Sequence, residues 1–356
     1  MNVDAVDRLD LQLLHALQVN GRAGFSLLGR VLEVSDQTVS RRYARLCSRG
    51  GLRVCGTVDP HLLGETQWYV RARATPDAAL PVAQAMAQRA DTSWVRLISG
   101  GTEIVCAARA RSSAETDALL LDKLPRTAQI RAVTAQSELH VFTRCAATLV
   151  AESGPLDDDQ LAALRPDGPD TAPRTRDQQE VRLDDTDRAL VDVLHRDGRA
   201  AIDVLAAAAA APATTVRRHL EHLQSSRVLR FDVDIDPPVL GAGVQTLLWM
   251  KVLPGELHAT GMALATHVEV AFAAATTGQT NLYASVMTRD NDGLYTYLTR
   301  RIAALPAVHD VEAVPVIRTV KSANAPSPAP FERPPPRPAA TRRRQPRKDS
   351  AASGGS

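Results

Sequence analysis

Sliding the 356-residue chain against itself by 177 positions lays residues 10–64 over 187–241 without a gap and matches 18 of 55 residues. A period of this length requires one folding unit made twice, so any architecture must accommodate two copies. The matches include Asp10/Asp187, Leu13/Leu190, Leu17/Leu194, Gly21-Arg22-Ala23/Gly198-Arg199-Ala200, Thr38-Val39/Thr215-Val216, Arg41/Arg218, Leu46/Leu223, Leu52-Arg53/Leu229-Arg230, Asp59-Pro60/Asp236-Pro237 and Leu63-Gly64/Leu240-Gly241. Gly101 and Gly278 keep the same offset, and Leu124-Pro125 meets Leu305-Pro306 after a short insertion.

Two segments lie outside the repeat. Residues 152–182 carry eight acids against four arginines, with prolines and few large apolar groups, and read as a solvated linker. Residues 322–356 are rich in Pro, Ala, Ser and Arg, and seven basic residues there face only Glu332 and Asp349. That composition predicts a disordered basic tail, whose Arg342-Arg343-Arg344 and Arg347-Lys348 add phosphate attraction independent of base sequence. The net charge of +2 conceals both imbalances.

Composition removes several classes of function. The apolar fraction is 44%, yet no run approaches the roughly 20 residues of a membrane-spanning helix. The opening MNVDAVDRLD lacks a basic start followed by an apolar stretch, so a cytoplasmic location is expected. Cys47, Cys55, Cys106 and Cys145 are scattered, with no C-x-x-C pair, and read as reduced thiols. His219 and His222 stand three apart without a third ligand nearby, so no metal site is expected. Nucleotide-loop, nucleophile-elbow and dinucleotide fingerprints are missing, and neither a catalytic residue nor a cofactor is expected. Ala- and Arg-rich usage with few aromatics fits a GC-rich bacterial source.

The first part of each unit reads as three short helices. Asp10 to Val19 sets Leu13, Leu14 and Leu17 on one stripe, a second helix follows from about Phe25 to Val31, and Ser35 caps a third. On that third helix Val39, Tyr43 and Leu46 share one side, whereas Gln37, Ser40, Arg41 and Arg45 point away. A helix pair feeding a basic third helix is a helix-turn-helix arrangement, whose third helix enters the DNA major groove. Arginines there reach guanine edges or phosphates, and Gln37 is suited to adenine. In the second copy Val216, Leu220 and Leu223 face inward, and Thr214 and Arg218 take the outward places of Gln37 and Arg41. Pro212 replaces Ser35 and Glu221 lies on the outer side, so weaker DNA contact is expected there.

The second part alternates strands and helices in the order βαββαβ. The first copy runs through Thr66–Ala74, Asp77–Ala90, Trp94–Ile98, Ile104–Ala110, Ser112–Leu124 and Ile130–Phe142. The second runs through Val244–Val252, Glu256–His267, Val268–Ala275, Asn281–Thr288, Asp290–Leu305 and Val308–Val320. This is the ferredoxin-like arrangement, a four-stranded antiparallel sheet with helices on one face and a bare face that needs a cover.

Residues 5–145 and 183–322 each resemble one subunit of the Lrp/AsnC family of transcription regulators. The resemblance rests on Leu9-Asp10, Leu13, Leu17 and Asn20-Gly21-Arg22, repeated as Leu183-Asp184, Asp187, Leu190, Leu194 and Asp197-Gly198-Arg199. It also rests on Ser35, Thr38, Val39 and Arg42 of a Ser-x-x-Thr-Val-x-x-Arg pattern, and on Asp59 to Gly64 and Asp236 to Gly241. The glycine of the helix-turn-helix turn is replaced by Glu33 and Ala210. The implied fold is α+β: two winged-type helix-turn-helix domains, 5–55 and 183–232, each followed by a ferredoxin-like ligand-sensing (RAM) domain, 56–145 and 233–322. The linker is then 146–182 and the tail 323–356.

The resemblance implies a DNA-binding regulator whose affinity is shifted by an amino acid or related small metabolite held between RAM domains. The DNA-contact residues it implies are Ser35, Gln37, Thr38, Ser40, Arg41, Arg42 and Arg45, with Thr214, Thr215, Arg217, Arg218 and His219 in the second copy. The effector loops it implies are Gly100-Gly101-Thr102-Glu103 and Gly278-Gln279-Thr280-Asn281, although neither has the family's Asp. Family members pair through RAM sheets and often form larger rings, so a homo-oligomer is expected alongside pairing. The two RAM domains pair within one chain, since the linker holds them near millimolar effective concentration, or the first RAM domains of two chains pair. Alternative readings are a metabolite-sensing or scaffolding protein with weakened DNA binding, and an enzyme like the siroheme decarboxylases, which resemble this family.

Overall fold

The computed structural model describes residues 6–49, 51–117, 129–144, 150, 154–165 and 181–323. The first half contains α1 (Arg8–Val19), α2 (Phe25–Val31), α3 (Asp36–Arg49), β1 (Arg53–Val58), β2 (Thr66–Ala74), α4 (Ala79–Ala87), β3 (Thr92–Ile98), β4 (Glu103–Ala110), α5 (Ser113–Asp117) and β5 (Ile130–Thr143). After α6 (Asp158–Leu164), the second half contains α7 (Asp185–Arg196), α8 (Ile202–Ala209), α9 (Ala213–Ser225), β6 (Leu229–Asp234), β7 (Val244–Val252), α10 (Leu257–Ala265), β8 (Val270–Thr276), β9 (Leu282–Thr288), α11 (Asn291–Thr296) and β10 (Val308–Lys321).

Local chemistry accounts for the helix boundaries. Asp7 caps α1 by accepting from the Asp10 amide at 2.9 Å, and Asp10 accepts in return from the Asp7 amide at 3.1 Å. Asp184 and Asp187 repeat this reciprocal box at α7. Ser35 caps α3 as its position predicts, its Oγ accepting from the Thr38 amide at 3.1 Å. α9 begins after Pro212, which supplies no side-chain cap. In the turns before α3 and α9, Glu33 and Ala210 sit at φ 56° and 48°. The missing glycines therefore fall where the backbone is left-handed, at an energetic cost for any residue with a Cβ.

The eight strands β2–β5 and β7–β10 close one antiparallel barrel in the order β10-β3-β4-β2-β5-β8-β9-β7. Within each half the order is ferredoxin-like, and the halves join where β5 pairs β8 and β10 pairs β3. Closure leaves no free edge on either sheet. Leu97, Ile104 and Val70 pack outward against α4, and Leu248, Val270 and Ala284 pack with Leu264 of α10. Ile98, Val105, Leu247, Trp249 and Tyr283 fill the barrel interior.

Above the barrel, β1 and β6 form a separate two-stranded ribbon, with Arg53 opposite Asp234, Cys55 opposite Asp232 and Val58 opposite Leu229. Val233 of the second half enters the helical core of the first, and Val58 and Leu62 of the first half enter that of the second. The repeated Gly-Arg-Ala tripeptide lies at this junction. Arg22 donates to the Gly198 and Ala200 carbonyls at 2.6 and 2.9 Å, and Arg199 donates to those of Gly21 and Ala23 at 2.7 and 2.8 Å. Arg199 also lies over the Phe25 and Tyr43 rings at 5.0 and 5.2 Å. Only glycine fits before each arginine: a Cβ on Gly21 would lie 2.7 Å from the Phe231 Cβ, and one on Gly198 2.8 Å from the Val54 carbonyl oxygen.

The segment expected to be a solvated linker departs from that expectation between residues 154 and 165. Asp157 and Gln160 form a capping box for α6. Leu156 and Leu164 enter the first helical core, and Gln160 Nε2 donates to the Val31 carbonyl at 2.7 Å. Local sequence carried the signal, an Asp-x-x-Gln box flanked by leucines, which the acidic composition masked. The rest of the linker, Cys145, the end of the helix expected over 112–124 and the tail from 324 onward lie outside the described residues.

Arg199→Ala should lower unfolding stability by about 3 kcal/mol, since it removes two charge-assisted hydrogen bonds and a cation–aromatic contact. Lysine should restore little of this, having no two-pronged donor; urea denaturation provides the check. Conversely, Ala210→Gly should raise stability by about 0.5–1 kcal/mol by relieving the left-handed backbone, read as a melting-temperature increase of a few degrees.

Candidate functional site

The outward face of α3 is only partly the one expected. Val39 and Leu46 are buried, Ser35, Gln37 and Arg41 are exposed, and Thr38 and Ser40 are half-buried. Arg42 and Arg45 turn toward α1. The Arg42 Nη1 lies 2.6 Å from Asp7 and 2.9 Å from Asp10, and Arg45 pairs with the same Asp10, whose side chain is fully buried. A carboxylate taken out of water needs such cations, so both arginines, expected among the DNA contacts, serve here as a tie between α3 and α1. On α9, Thr214, Arg217 and Arg218 are exposed, and Thr215 is half-buried. His219, which corresponds to Arg42, turns inward likewise, with Nδ1 2.8 Å from Asp187 and 4.0 Å from Asp184. These three ligand atoms lie within 4.8 Å of one another, but the corresponding first-half group is an arginine ion pair. The repeated Asp10/Asp187 was the sequence signal for this tie.

The polar groups of the two loops read as effector sites are largely bonded within the protein. Glu103 is buried and accepts from Arg71 Nε at 2.8 Å, Arg73 Nε at 2.9 Å and Ser99 Oγ at 2.9 Å. Although burial pushes its carboxyl up, these donors hold it below the usual carboxylate range. Gly100 and Gly101 take φ 69° and 87°, and Thr102 Oγ1 donates to the Ser99 carbonyl at 2.9 Å. In the other loop Gly278 takes φ 105°, and Gln136 Nε2 donates to the Thr280 carbonyl at 2.8 Å. Asn281 closes on the Val252 backbone, accepting from its amide at 2.9 Å and donating to its carbonyl at 2.8 Å. Gln279 is exposed. Neither loop lines the cavity enclosed between the two halves.

That cavity, about 220 Å³, lies between the ribbon and the mouth of the barrel. Alternation along the ribbon places Cys55, Asp232 and Asp234 toward it, while Tyr69, Arg96, Phe272 and Tyr283 face it from the barrel. Residues of both halves are required, and strand periodicity within either half gives no indication of their meeting. Cys55 is inert as a nucleophile, because burial pushes its thiol up to about 12.

At one wall Glu138 is fully buried and accepts from His61 Nε2 at 3.1 Å, from Arg144 Nη2 at 3.1 Å and from the Tyr69 hydroxyl. Burial alone would raise its carboxyl, but these donors hold it below the ordinary range. The negative charge so retained adds to burial in pushing the Tyr69 phenol well up. At the other wall His195 Nδ1 donates to the Gly56 carbonyl at 2.5 Å. Burial, with Arg109 nearby, lowers this histidine to about 4, so it is neutral at pH 7. A histidine lowered from 6.5 contributes stability that is complete above pH 6.5 and lost as pH falls toward 4, because the unfolded chain takes up the proton first. Melting temperature should therefore drop across that window, and less steeply in His195→Gln, as a pH series of thermal melts would show.

With this geometry established, residues 6–46 match the AsnC-type helix-turn-helix domain and residues 245–326 match the Lrp/AsnC ligand binding domain. The HTH-type transcriptional regulator FL11 of Pyrococcus horikoshii is 25% identical over 142 residues, 40% of this chain and 93% of its own length. FL11 of Pyrococcus abyssi is also 25% identical with the same coverage. Among solved structures, the siroheme decarboxylase NirDL is 12% identical with a TM-score of 0.58, covering 90% of this chain and 94% of that chain, a likeness of fold. The chain thus carries an AsnC-type helix-turn-helix domain and an Lrp/AsnC ligand-binding domain, the two components of Lrp/AsnC-type transcriptional regulators.

Proposed function

We infer that the chain is a DNA-binding transcriptional regulator with two unequal reading heads, controlled by a small-molecule effector. The observation that carries this reading is the AsnC-type match over 6–46, combined with exposed Gln37 and Arg41 on its third helix. Helices α7, α8 and α9 repeat the order of α1, α2 and α3, and α9 exposes Thr214, Arg217 and Arg218. They form the second head, weakened by the uncapped start at Pro212 and by exposed Glu221. One chain acts as its own dimer, with the ribbon setting the spacing of the heads, an arrangement suited to asymmetric operators. FL11 matches over 93% of its length to 40% of this chain, in keeping with a chain that holds more than one regulator unit.

A second reading is an enzyme of the siroheme-decarboxylase type. It is favoured by one observation, the fold likeness to NirDL along nearly the whole of both chains, that protein having also been solved with an iron-uroporphyrin III analogue. The regulator reading comes first because its support lies in sequence-level matches to both domain types.

Fluorescence anisotropy at about 0.15 M salt, with DNA from upstream of the protein's own gene and a scrambled control, tests the regulator reading. Cognate binding tighter by about 10³ is expected. Arg41→Ala should lose about 1–3 kcal/mol of that preference with an unchanged melting temperature, since Arg41 is exposed. Undiminished discrimination in the variant would remove Arg41 from base recognition. A visible absorption change on adding siroheme, without specific DNA binding, would favour the enzyme.

A further inference from the structure

The barrel mouth contains a buried cation whose bonding capacity the fold satisfies only in part. Arg96 is 7% exposed, its guanidinium bonds the Tyr283 hydroxyl, and it lies over the Trp94 ring at 4.9 Å. Its buried Nε has no hydrogen-bond partner. Among the described residues no carboxylate forms an ion pair with it, whereas Arg42, Arg71 and Arg144 each have one. Asp234, on the same cavity wall, favours the charge without forming an ion pair with it, so the buried guanidinium keeps bonding capacity for a partner from outside the chain.

The backbone is distorted where it presents this side chain. The β3–β4 register shifts between Ser93 and Arg96, and Trp94 takes φ 50°, a conformation bulky residues rarely adopt. Such a bulge re-aims side chains, and here Arg96 faces the cavity while Val95 and Leu97 pack toward α4. Aligning the strand openings Thr92 and Val270 makes Ala274 the counterpart of Arg96. Arg96 therefore has no counterpart in the second half; it shares the cavity with further charged groups, Arg53, Arg144, Asp232 and Asp234 among them, and with the rings of Tyr69, Phe272, Tyr283 and Trp94. The space of about 220 Å³ is below the roughly 300–1,000 Å³ of pockets for drug-sized molecules.

We propose that the barrel mouth binds one small carboxylate-bearing molecule per chain, its carboxylate held by the Arg96 guanidinium and its body packed among the aromatic rings. Guanidinium and carboxylate match as planar, charge-assisted partners. The ligand would touch the ribbon that joins the two helical heads, so its regulatory meaning rests on the proposed DNA-binding function, but binding itself does not.

The test is calorimetry on the full chain without DNA, using benzoate, 3-phenylpropionate and indole-3-acetate, with 3-phenylpropionamide as the uncharged match and uroporphyrin III as a macrocyclic carboxylate. At least one acid should bind one per chain, about ten- to a hundredfold tighter than the amide. Arg96→Met should abolish that preference while keeping or raising the melting temperature, because it removes an unpaired buried charge. Trp94→Phe should retain binding but lose part of any ligand-induced fluorescence change. Binding of uroporphyrin III in place of the small acids would overturn the small-molecule assignment. The proposal fails if no carboxylate is preferred over the amide, if the preference survives Arg96→Met, or if that variant melts far below the parent. The absence of DNA separates failure here from failure of the regulator reading.

Discussion

The reciprocal grip of Arg22 and Arg199 on each other's glycine and alanine carbonyls is the contact on which the rest of the molecule depends. Each guanidinium satisfies two backbone acceptors of the opposite helical unit, in a junction too tight for a side chain on Gly21 or Gly198. The grip holds the ribbon in register, and the ribbon completes both helical cores with residues from the opposite half. Neither helical unit has a finished core by itself. The helical heads are therefore fixed relative to each other, and a ribbon with one face in their cores presents its other face to the barrel.

The cavity follows from that arrangement. A closed eight-stranded barrel fills its middle with side chains, here Leu247, Trp249, Ile98 and Tyr283, and has space only at a mouth. The ribbon covers one mouth without filling it. The chain has replaced two-fold equivalence at this point with asymmetry: Tyr69, Arg96 and Glu138 of the first half stand where the second half has Leu247, Ala274 and Val316. A homodimer would have to present the same groups on both sides. Joining two units in one chain allows the two sides to carry different groups, producing an asymmetric pocket.

Charge pairing explains why some outward-looking residues face inward. Asp10 and Asp187 serve as capping partners and are buried, so each requires a partner from the third helix; the first unit supplies Arg42 and Arg45, and the second the His219 ring. Helical periodicity assigns a face to each residue but does not show how far a long side chain swings. An arginine reaches across about one turn of helix surface, so positions bordering the outward stripe are decided by the nearest buried acid. Ser35, by contrast, acts within one turn, and its cap was fully legible.

Local chemistry determined what the sequence alone could establish: the period of 177, the helix start at Ser35, the order of strands and helices in each half and the inward stripes of α1, α3 and α9. These depend on neighbours within a turn or a strand, or on one unit resembling the other. Residues 154–165 showed a capping box whose docking surface lay elsewhere in the chain. Only the tertiary structure decided that β5 meets β8, that the ribbon lies over the barrel and that Arg96 reaches the cavity with its Nε unpartnered. Those outcomes depend on contacts between residues more than a hundred positions apart, where geometry, and no pattern of spacing, selects the partner.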